Sequence, residues 1–245
     1  NTTDEWLVAR GAFDALDGVV PYAIVPGNHD YDLAQVRASR LTEFFPVEDA
    51  RAIPTFGGTY EADRLDSSFH TFDVAEERWL ILALEWGPRP DVLAWASAVL
   101  DAHPDHRAIV LTHAYLYGDD TRYDWTLHGG AQTFNPHFYP PPSWPEVTDG
   151  EQIWQALIAP RDRVHLVVSG HVVDDGVGRL TSTTDAGAPV HQLLANSQDR
   201  ADAGAAFRRI LPFHEHALQV RTYSPWLDAF DDAPDQQFVL PRDGW

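Results

Sequence analysis

The stretch VVPYAIVPGNHD, residues 19–30, is the part of the sequence that decides the fold. Its first seven residues are mostly apolar, which is typical of a buried strand, and a Gly-Asn-His-Asp tetrapeptide follows directly. Two later apolar runs, residues 108–113 and 166–171, also end in a histidine. Open α/β sheets carry their sites at one edge, so we expect the ends of these three runs to meet there. The pattern predicts an α/β fold.

The side chains at the three run ends have the chemistry of a metal site. Asn28 offers a neutral, hard oxygen donor, and His113 and His171 offer imidazole nitrogens. His29, beside Asp30, is a candidate general acid whose tautomer the carboxylate would fix. Taken singly, each residue has an ordinary alternative as a turn residue or a satisfied strand-end histidine. Their shared position at three run ends favours one common site.

The composition restricts both the class of protein and its partners. The chain has 245 residues, of which 44% are hydrophobic, and this is typical of a globular protein with a substantial core. Its 17 basic residues, all Arg, against 37 acidic ones give a net charge of −20, which disfavours nucleic acid as a partner. The absence of Cys excludes thiolate ligands and disulfides. No apolar stretch is long enough to cross a membrane, and nothing in the sequence indicates an oligomeric state.

Periodicity predicts one domain over residues 1–245, built from helices and strands. A Thr2-x-x-Glu5 capping box predicts a helix near the start of the chain. Residues 46–66, which contain Gly and Pro, are expected to form a loop. The remaining expected elements are helices at residues 32–45, 91–102 and 151–158, and strands at residues 21–25, 68–74, 78–86, 108–113, 166–171, 179–184, 189–195, 206–213 and 217–223.

An aromatic-rich insertion occupies about residues 114–150, directly after His113. A connection this long without predicted structure is usually functional, so we interpret it as a lid or substrate wall, with a rigid packed excursion as the alternative. His128, within this insertion, is a candidate substrate contact or else a surface histidine. His191 is a candidate substrate contact or a buried structural histidine, and Asn196 is a candidate contact or a turn residue.

The order of these motifs resembles the calcineurin-like metallophosphoesterase family. Its members carry, in order, Asp-x-His, Gly-Asp, Gly-Asn-His-Asp/Glu, a strand-end His and Gly-His-x-His; residues 27–30, 112–113 and 170–171 match the last three. Secreted bacterial members also have stretches similar to residues 113–116, 190–196 and 222–226, which favours a secreted or extracellular location. The resemblance implies a four-layer α/β/β/α sandwich of two mixed sheets flanked by helices.

The resemblance also implies the roles of the site residues. Asn28, His113 and His171 become ligands of one divalent metal, such as Zn, Fe or Mn. His29 becomes the residue that stabilises the transition state or protonates the leaving oxygen, and Asp30 orients it. In the family a second metal lies beside the first, and a hydroxide held between the two attacks phosphorus. The implied function is metal-dependent hydrolysis of a phosphate ester, with a phosphorylated small molecule or another phosphoester as substrate.

The chain departs from the family pattern at the second metal. The first two motifs are absent, and Val173 stands where the last motif has a histidine, so the ligands of the second metal are missing here. One hypothesis is a processed or trimmed product whose N-terminal strands lie upstream, with Asp174 or Asp175 replacing the lost histidine. The alternative is a non-catalytic binding module on a degenerate scaffold. We favour the first, because losing two strands would remove central β-sheet pairing.

Overall fold

The computed structural model describes residues 1–31, 37–139, 144–202 and 204–245. The helices are Thr3–Asp14 (α1), Leu41–Phe44 (α2), Val47–Ala50 (α3), Pro90–Ala102 (α4), Trp125–His128 (α5) and Gly150–Ile153 (α6), with 3₁₀ turns at Asn28–Asp30, Gly129–Ala131 and Pro136–Phe138 and a π-helical turn at Trp154–Ile158. The strands are Phe56–Thr59 (β1), Ser68–Val74 (β2), Glu77–Leu84 (β3), Arg107–Thr112 (β4), Val164–Ser169 (β5), Val177–Thr183 (β6), Pro189–Ala195 (β7), Arg208–Ile210 (β8), Ala217–Ser224 (β9), Ala229–Asp231 (β10) and Phe238–Pro241 (β11).

A seven-stranded mixed sheet forms the centre of the molecule, in the order β1-β2-β3-β4-β5-β7-β6. The pairs β3–β4, β4–β5 and β5–β7 are parallel, so the carboxyl ends of these strands lie at the same edge. In the second sheet, β8, β10 and β11 pair antiparallel with β9. The predicted α/β class with two sheets flanked by helices is confirmed. The second sheet is antiparallel in its described pairings, where we expected a mixed sheet.

The two faces of the large sheet are covered differently. In β4, Ala108 and Val110 are fully buried in the main core, which also contains the apolar face of α4. Pro90 at the first turn of α4 suits a helix start, because the nitrogen there needs no intrahelical partner. On the opposite face, Leu166 of β5 packs with Leu218 and other apolar residues of the second sheet. Burial on both faces fixes the parallel strands in place.

The prediction of a strand at residues 21–25 is wrong. Residues 21–27 belong to no strand, and among the described residues none pairs with them in a ladder. Residues 21–23 instead line an open groove of about 500 Å³ on the large sheet, together with Ile81, Leu111 and Val168. A strand is defined by its hydrogen-bonded neighbour as well as by its composition, which explains the error.

The other predicted elements are confirmed to different extents. The capping box of α1 forms as expected, and the strands at residues 68–74 and 189–195 have the predicted bounds. The helix expected at residues 32–45 lies partly outside the described residues. Its described part contains α2. The loop expected at residues 46–66 contains α3 and β1. These are elements of four residues, which are too short to give a periodic signal.

The insertion at residues 114–150 is packed against the core. Tyr115, Leu116 and Tyr123 are fully buried, and the backbone of Gly150 passes so close to the Tyr115 carbonyl oxygen that an added Cβ would lie 2.1 Å from it. This packing favours the rigid excursion over a detached lid. The Pro run that begins at residue 140 lies outside the described residues. None of the described helices combines the length and the apolar character that crossing a membrane requires.

A buried histidine couples the end of the chain to the sheet. His165 of β5 stacks on Trp245, with ring centroids 5.2 Å apart and an interplanar angle of 8°. Burial, reinforced by the charges of Arg107 and Arg242, lowers the pKa of His165 from its ordinary value of 6.5 to about 4. His70 of β2 is also buried, and its pKa is likewise lowered to about 4. Both histidines are therefore neutral in the folded protein at neutral pH.

We expect the free energy of unfolding to decrease as the pH falls from about 6.5 to about 4. In this window the unfolded state binds protons at both histidines and the folded state does not, so each contributes a slope of up to about 1.4 kcal/mol per pH unit. The measurement is urea unfolding at pH 7.5, 6.5 and 5.5. His165→Phe keeps an aromatic ring against Trp245 but removes one titration, so it should reduce the slope. An unchanged slope in this variant would contradict the assignment.

Candidate functional site

The Gly-Asn-His-Asp tetrapeptide forms a 3₁₀ turn that is closed by its own residues. The Gly27 N–H donates to Asp30 Oδ2 at 2.7 Å, and the Asp30 N–H donates to the Gly27 carbonyl at 3.0 Å. Burial raises the pKa of Asp30, whereas the Gly27 N–H opposes that shift. The turn leaves Asn28 buried, with 5% of its surface exposed, and His29 exposed. The Asp30 carboxylate thus fixes the turn; its orienting effect on His29 stays a prediction.

Three predicted ligands meet at the carboxyl ends of β4 and β5. His113 Nε2 lies 3.0 Å from Asn28 Oδ1 and 3.1 Å from His171 Nδ1. His113 directly follows β4, and His171 comes two residues after β5. The parallel pairing of these strands puts both histidines at the same edge, against the turn that holds Asn28. We call Asn28, His113 and His171 the donor cluster.

Two glycines and one strained residue set the positions of the imidazole rings. The Gly170 N–H donates to the His113 carbonyl at 2.9 Å, which ties the two strand ends together. An added Cβ at Gly27 would lie 2.8 Å from His113 Cε1, so only glycine leaves room for that ring. His171 has a φ of 75°, in the left-handed region that a non-glycine residue rarely adopts. Such strain occurs preferentially at functional sites.

The two histidines of the donor cluster are held in the neutral form. Burial, reinforced by the nearby His171 and His29, lowers the pKa of His113 to about 3. Burial also lowers the pKa of His171. His171 Nε2 lies 2.8 Å from the Phe134 carbonyl, which can only accept, so Nε2 carries the proton and Nδ1 has a free lone pair. Neutral imidazole with a lone pair is the form that binds metals.

The donor cluster fits one divalent cation. Two nitrogen or oxygen donors bound to the same cation at about 2.1 Å lie roughly 3.0–3.4 Å apart, and the separations of 3.0 and 3.1 Å here match. The second ring nitrogen of His171 donates to a backbone carbonyl, as is usual for metal-binding histidines. The described residues contain no group of three or more His, Cys, Asp or Glu placed to hold a metal, so this set of two His and one Asn is smaller than a full ligand shell.

Comparison with known proteins agrees with this geometry. The family model described as calcineurin-like phosphoesterase matches residues 3–175, which is more than half of the chain. The chain belongs to the calcineurin-like phosphoesterase family. The chain is also similar to the uncharacterized protein YvnB of Bacillus subtilis (strain 168), with 25% identity over 236 residues. That match covers 91% of this chain but only 16% of the relative, which is therefore a much longer protein.

Residues 173–175 cover the position where the family has a further histidine. They make no described contact with the donor cluster. Val173 is half-buried and has no donor atom in its side chain. Asp174 and Asp175 are exposed, and Asp175 Oδ1 accepts a hydrogen bond from the Val177 N–H at 3.1 Å, at the start of β6. The replacement of the family histidine by one of these carboxylates stays a prediction for this chain.

His191 occupies a structural position in β7. Its ring nitrogens lie 2.8 Å from Thr181 Oγ1 and 2.7 Å from the Pro241 carbonyl, so both are engaged. The ring also lies 5.7 Å from that of Trp245, in the cluster that anchors the chain end. These contacts favour the buried structural alternative, and a substrate contact for His191 stays a prediction.

The other two candidate substrate-binding residues, His128 and Asn196, also make no described contact with the donor cluster. His128 is half-buried at the end of α5, where its N–H donates to the Asp124 carbonyl at 2.9 Å. Asn196 accepts a hydrogen bond from the Gln198 N–H at 3.0 Å through its Oδ1, as a turn residue would. The substrate contacts of His128 and Asn196 stay predictions.

Sequence reasoning missed the aromatic rings that surround His171. The ring centroids of Tyr123, Phe134 and Tyr139 lie 6.1, 6.3 and 6.1 Å from that of His171. The aromatic density after His113 indicated that the insertion has a role near the site. The aromatic density did not indicate which aromatic residues contact His171, because the insertion has neither helical nor strand periodicity.

We expect Gly27→Ala to weaken metal binding by about 10- to 100-fold, because the new methyl group must displace the His113 ring from the donor cluster. Isothermal titration with Zn²⁺ and Mn²⁺ measures this effect. Gly11→Ala in α1 is the matched control, because an added Cβ there meets no other atom within 4 Å. Equal affinities for the Gly27→Ala variant and the wild type would show that the donor cluster is not the metal site.

Proposed function

We propose that this chain hydrolyses phosphate esters with the help of a divalent metal bound by the donor cluster. The observation that carries the proposal is the convergence of two neutral imidazoles and one amide oxygen, with separations of 3.0 and 3.1 Å, beside the exposed His29. Family membership supports phosphoester hydrolysis in general. The donor set suits Zn, Fe, Mn or a similar cation.

The donor cluster has no net charge, which matters for a negatively charged substrate. Asn28 is neutral by chemistry, and His113 and His171 are kept neutral by burial. A bound divalent cation supplies Lewis-acid stabilisation of the negative charge that develops on the phosphoryl group. Because Asn28, His113 and His171 are neutral, they would hold the cation without cancelling its charge.

His29 is the residue we assign to proton transfer. It follows the buried Asn28 directly in the 3₁₀ turn and is exposed, so its ring can reach a substrate next to the donor cluster. The Asp30 carboxylate holds the Gly27 N–H and thereby fixes the position of His29 in the turn. In this proposal, a ring N–H of His29 donates its proton to the leaving oxygen of the ester.

The net charge of −20 limits the class of ester. A strongly acidic surface repels long polyanions, so small phosphoesters are the favoured substrates. A second candidate function is a non-catalytic binding module, which Val173 and the small ligand set favour. The two functions predict different responses to metal removal.

We expect hydrolysis of 4-nitrophenyl phosphate in the presence of Mn²⁺ or Zn²⁺, its loss with a chelator, and its return when metal is added back. His29→Ala should lower kcat by about 10²- to 10⁴-fold, the usual contribution of a general acid, while metal affinity is retained. Steady-state kinetics and titration calorimetry measure the two effects.

His216→Ala is the matched control for this experiment, since His216 is an exposed histidine that pairs with Glu215. This variant should turn over like the wild type. Hydrolysis that resists chelation would contradict the role of the metal. Absence of turnover with every metal, together with ligand binding that resists chelators, would establish the binding module instead.

A further inference from the structure

Phe134 is the most accessible of the aromatic rings around His171. Tyr123 is fully buried and Tyr139 is half-buried, whereas Phe134 has 48% of its surface exposed. Its ring centroid lies 6.3 Å from that of His171, at an interplanar angle of 85°. A large apolar ring is therefore presented to solvent directly beside the donor cluster.

The backbone on both sides of Phe134 is anchored. The carbonyl of Thr133 accepts a hydrogen bond from the Tyr123 hydroxyl at 3.0 Å. Asn135 is fully buried, and its Oδ1 accepts a hydrogen bond from the His137 N–H at 3.0 Å, where it caps a 3₁₀ turn. The exposed ring is thus carried by a fixed segment, and little conformational freedom would be lost when a ligand contacts it.

Phe134 itself adopts an unfavourable backbone conformation. Its φ is 62°, in the left-handed region, which is uncommon for a bulky residue. The same residue accepts the Nε2–H of His171 through its carbonyl, so the strained backbone orients a ligand of the donor cluster. Strain combined with exposure of an apolar ring at a site is typical of residues that contact a ligand.

We propose that the Phe134 ring stacks on a planar aromatic group of the substrate, which makes aryl phosphoesters the substrate class. This inference rests on the proposed function. Paired aromatic rings prefer offset-stacked or edge-to-face geometries with centroids 4.5–7 Å apart. Because the centroids of Phe134 and His171 lie only 6.3 Å apart, an aromatic group attached directly at the ester oxygen is within reach of Phe134 when the phosphate is at the donor cluster. In a nucleotide a ribose separates base and phosphate, so the aryl ester fits better.

Phe138 offers a matched comparison within the same insertion. It has 51% of its surface exposed, close to the value for Phe134. Its ring packs edge-on against Trp125, with centroids 4.9 Å apart, and a Cβ added at Gly130 would lie 3.4 Å from Phe138 Cζ. Substitution of Phe138 therefore removes an equally exposed ring that does not adjoin His171 in the described contacts.

The test compares the binding of three phosphonates by titration calorimetry, with Mn²⁺ present. Phenylphosphonate has a planar ring, cyclohexylphosphonate has an apolar ring of similar size that is not planar, and methylphosphonate has neither. We expect the wild type to bind phenylphosphonate about threefold to tenfold more tightly than cyclohexylphosphonate. Phe134→Ala and the more conservative Phe134→Leu should both lose this preference, and Phe138→Ala should keep it.

The outcomes separate this inference from the proposed function. Equal binding of the phenyl and cyclohexyl compounds, an unchanged preference in both Phe134 variants, or no binding of any phosphonate would overturn the inference. Turnover of 4-nitrophenyl phosphate is measured in parallel. Turnover without a phenyl preference would refute the aryl specificity alone. A phenyl preference that depends on Phe134, without turnover, would keep the aryl contact and refute hydrolysis.

Discussion

The hydrogen bond from the Gly170 N–H to the His113 carbonyl is the contact on which the site depends. It joins β4 and β5 beyond the last pair of their ladder, at the edge where both strands end. With the strand ends held together, the two imidazoles come within 3.1 Å, and Asn28 and the Phe134 carbonyl then contact those imidazoles. The chemistry of the site is therefore a consequence of parallel strand pairing, and the turn and the insertion attach to it.

The parts of the molecule that the sequence predicts are those with a local signal. The strands at residues 68–74 and 189–195 combine suitable composition with turn residues at their ends, and the histidines after two apolar runs identified most of the donor cluster. The segment at residues 21–25 has the same composition, but its state depends on a neighbour that composition does not reveal. The hydrogen bond between His171 and Phe134 uses the backbone carbonyl of Phe134. Every residue has such a carbonyl, so no side-chain pattern could have indicated this hydrogen bond.

The donor cluster contains no carboxylate, although the chain is strongly acidic. Beside the site, Glu85 follows β3 and is buried between two arginines, with Arg37 Nη2 at 3.2 Å and Arg89 Nε at 2.9 Å. The Glu85 carbonyl also accepts the hydroxyl of Thr112, the last residue of β4, at 3.4 Å. This carboxylate is compensated locally, as a buried charge must be. A chain with a net charge of −20 can thus keep the donor cluster free of negative charge.

The left-handed backbone of His171 bears on the stability of the fold as well as on the geometry of the site. A non-glycine residue in this conformation costs on the order of 1–3 kcal/mol, and a glycine there would return most of that stability. The conformation of His171 therefore lowers the stability of the fold while it holds an imidazole 3.1 Å from His113 Nε2, and His171→Gly is expected to raise the free energy of unfolding while removing that ring.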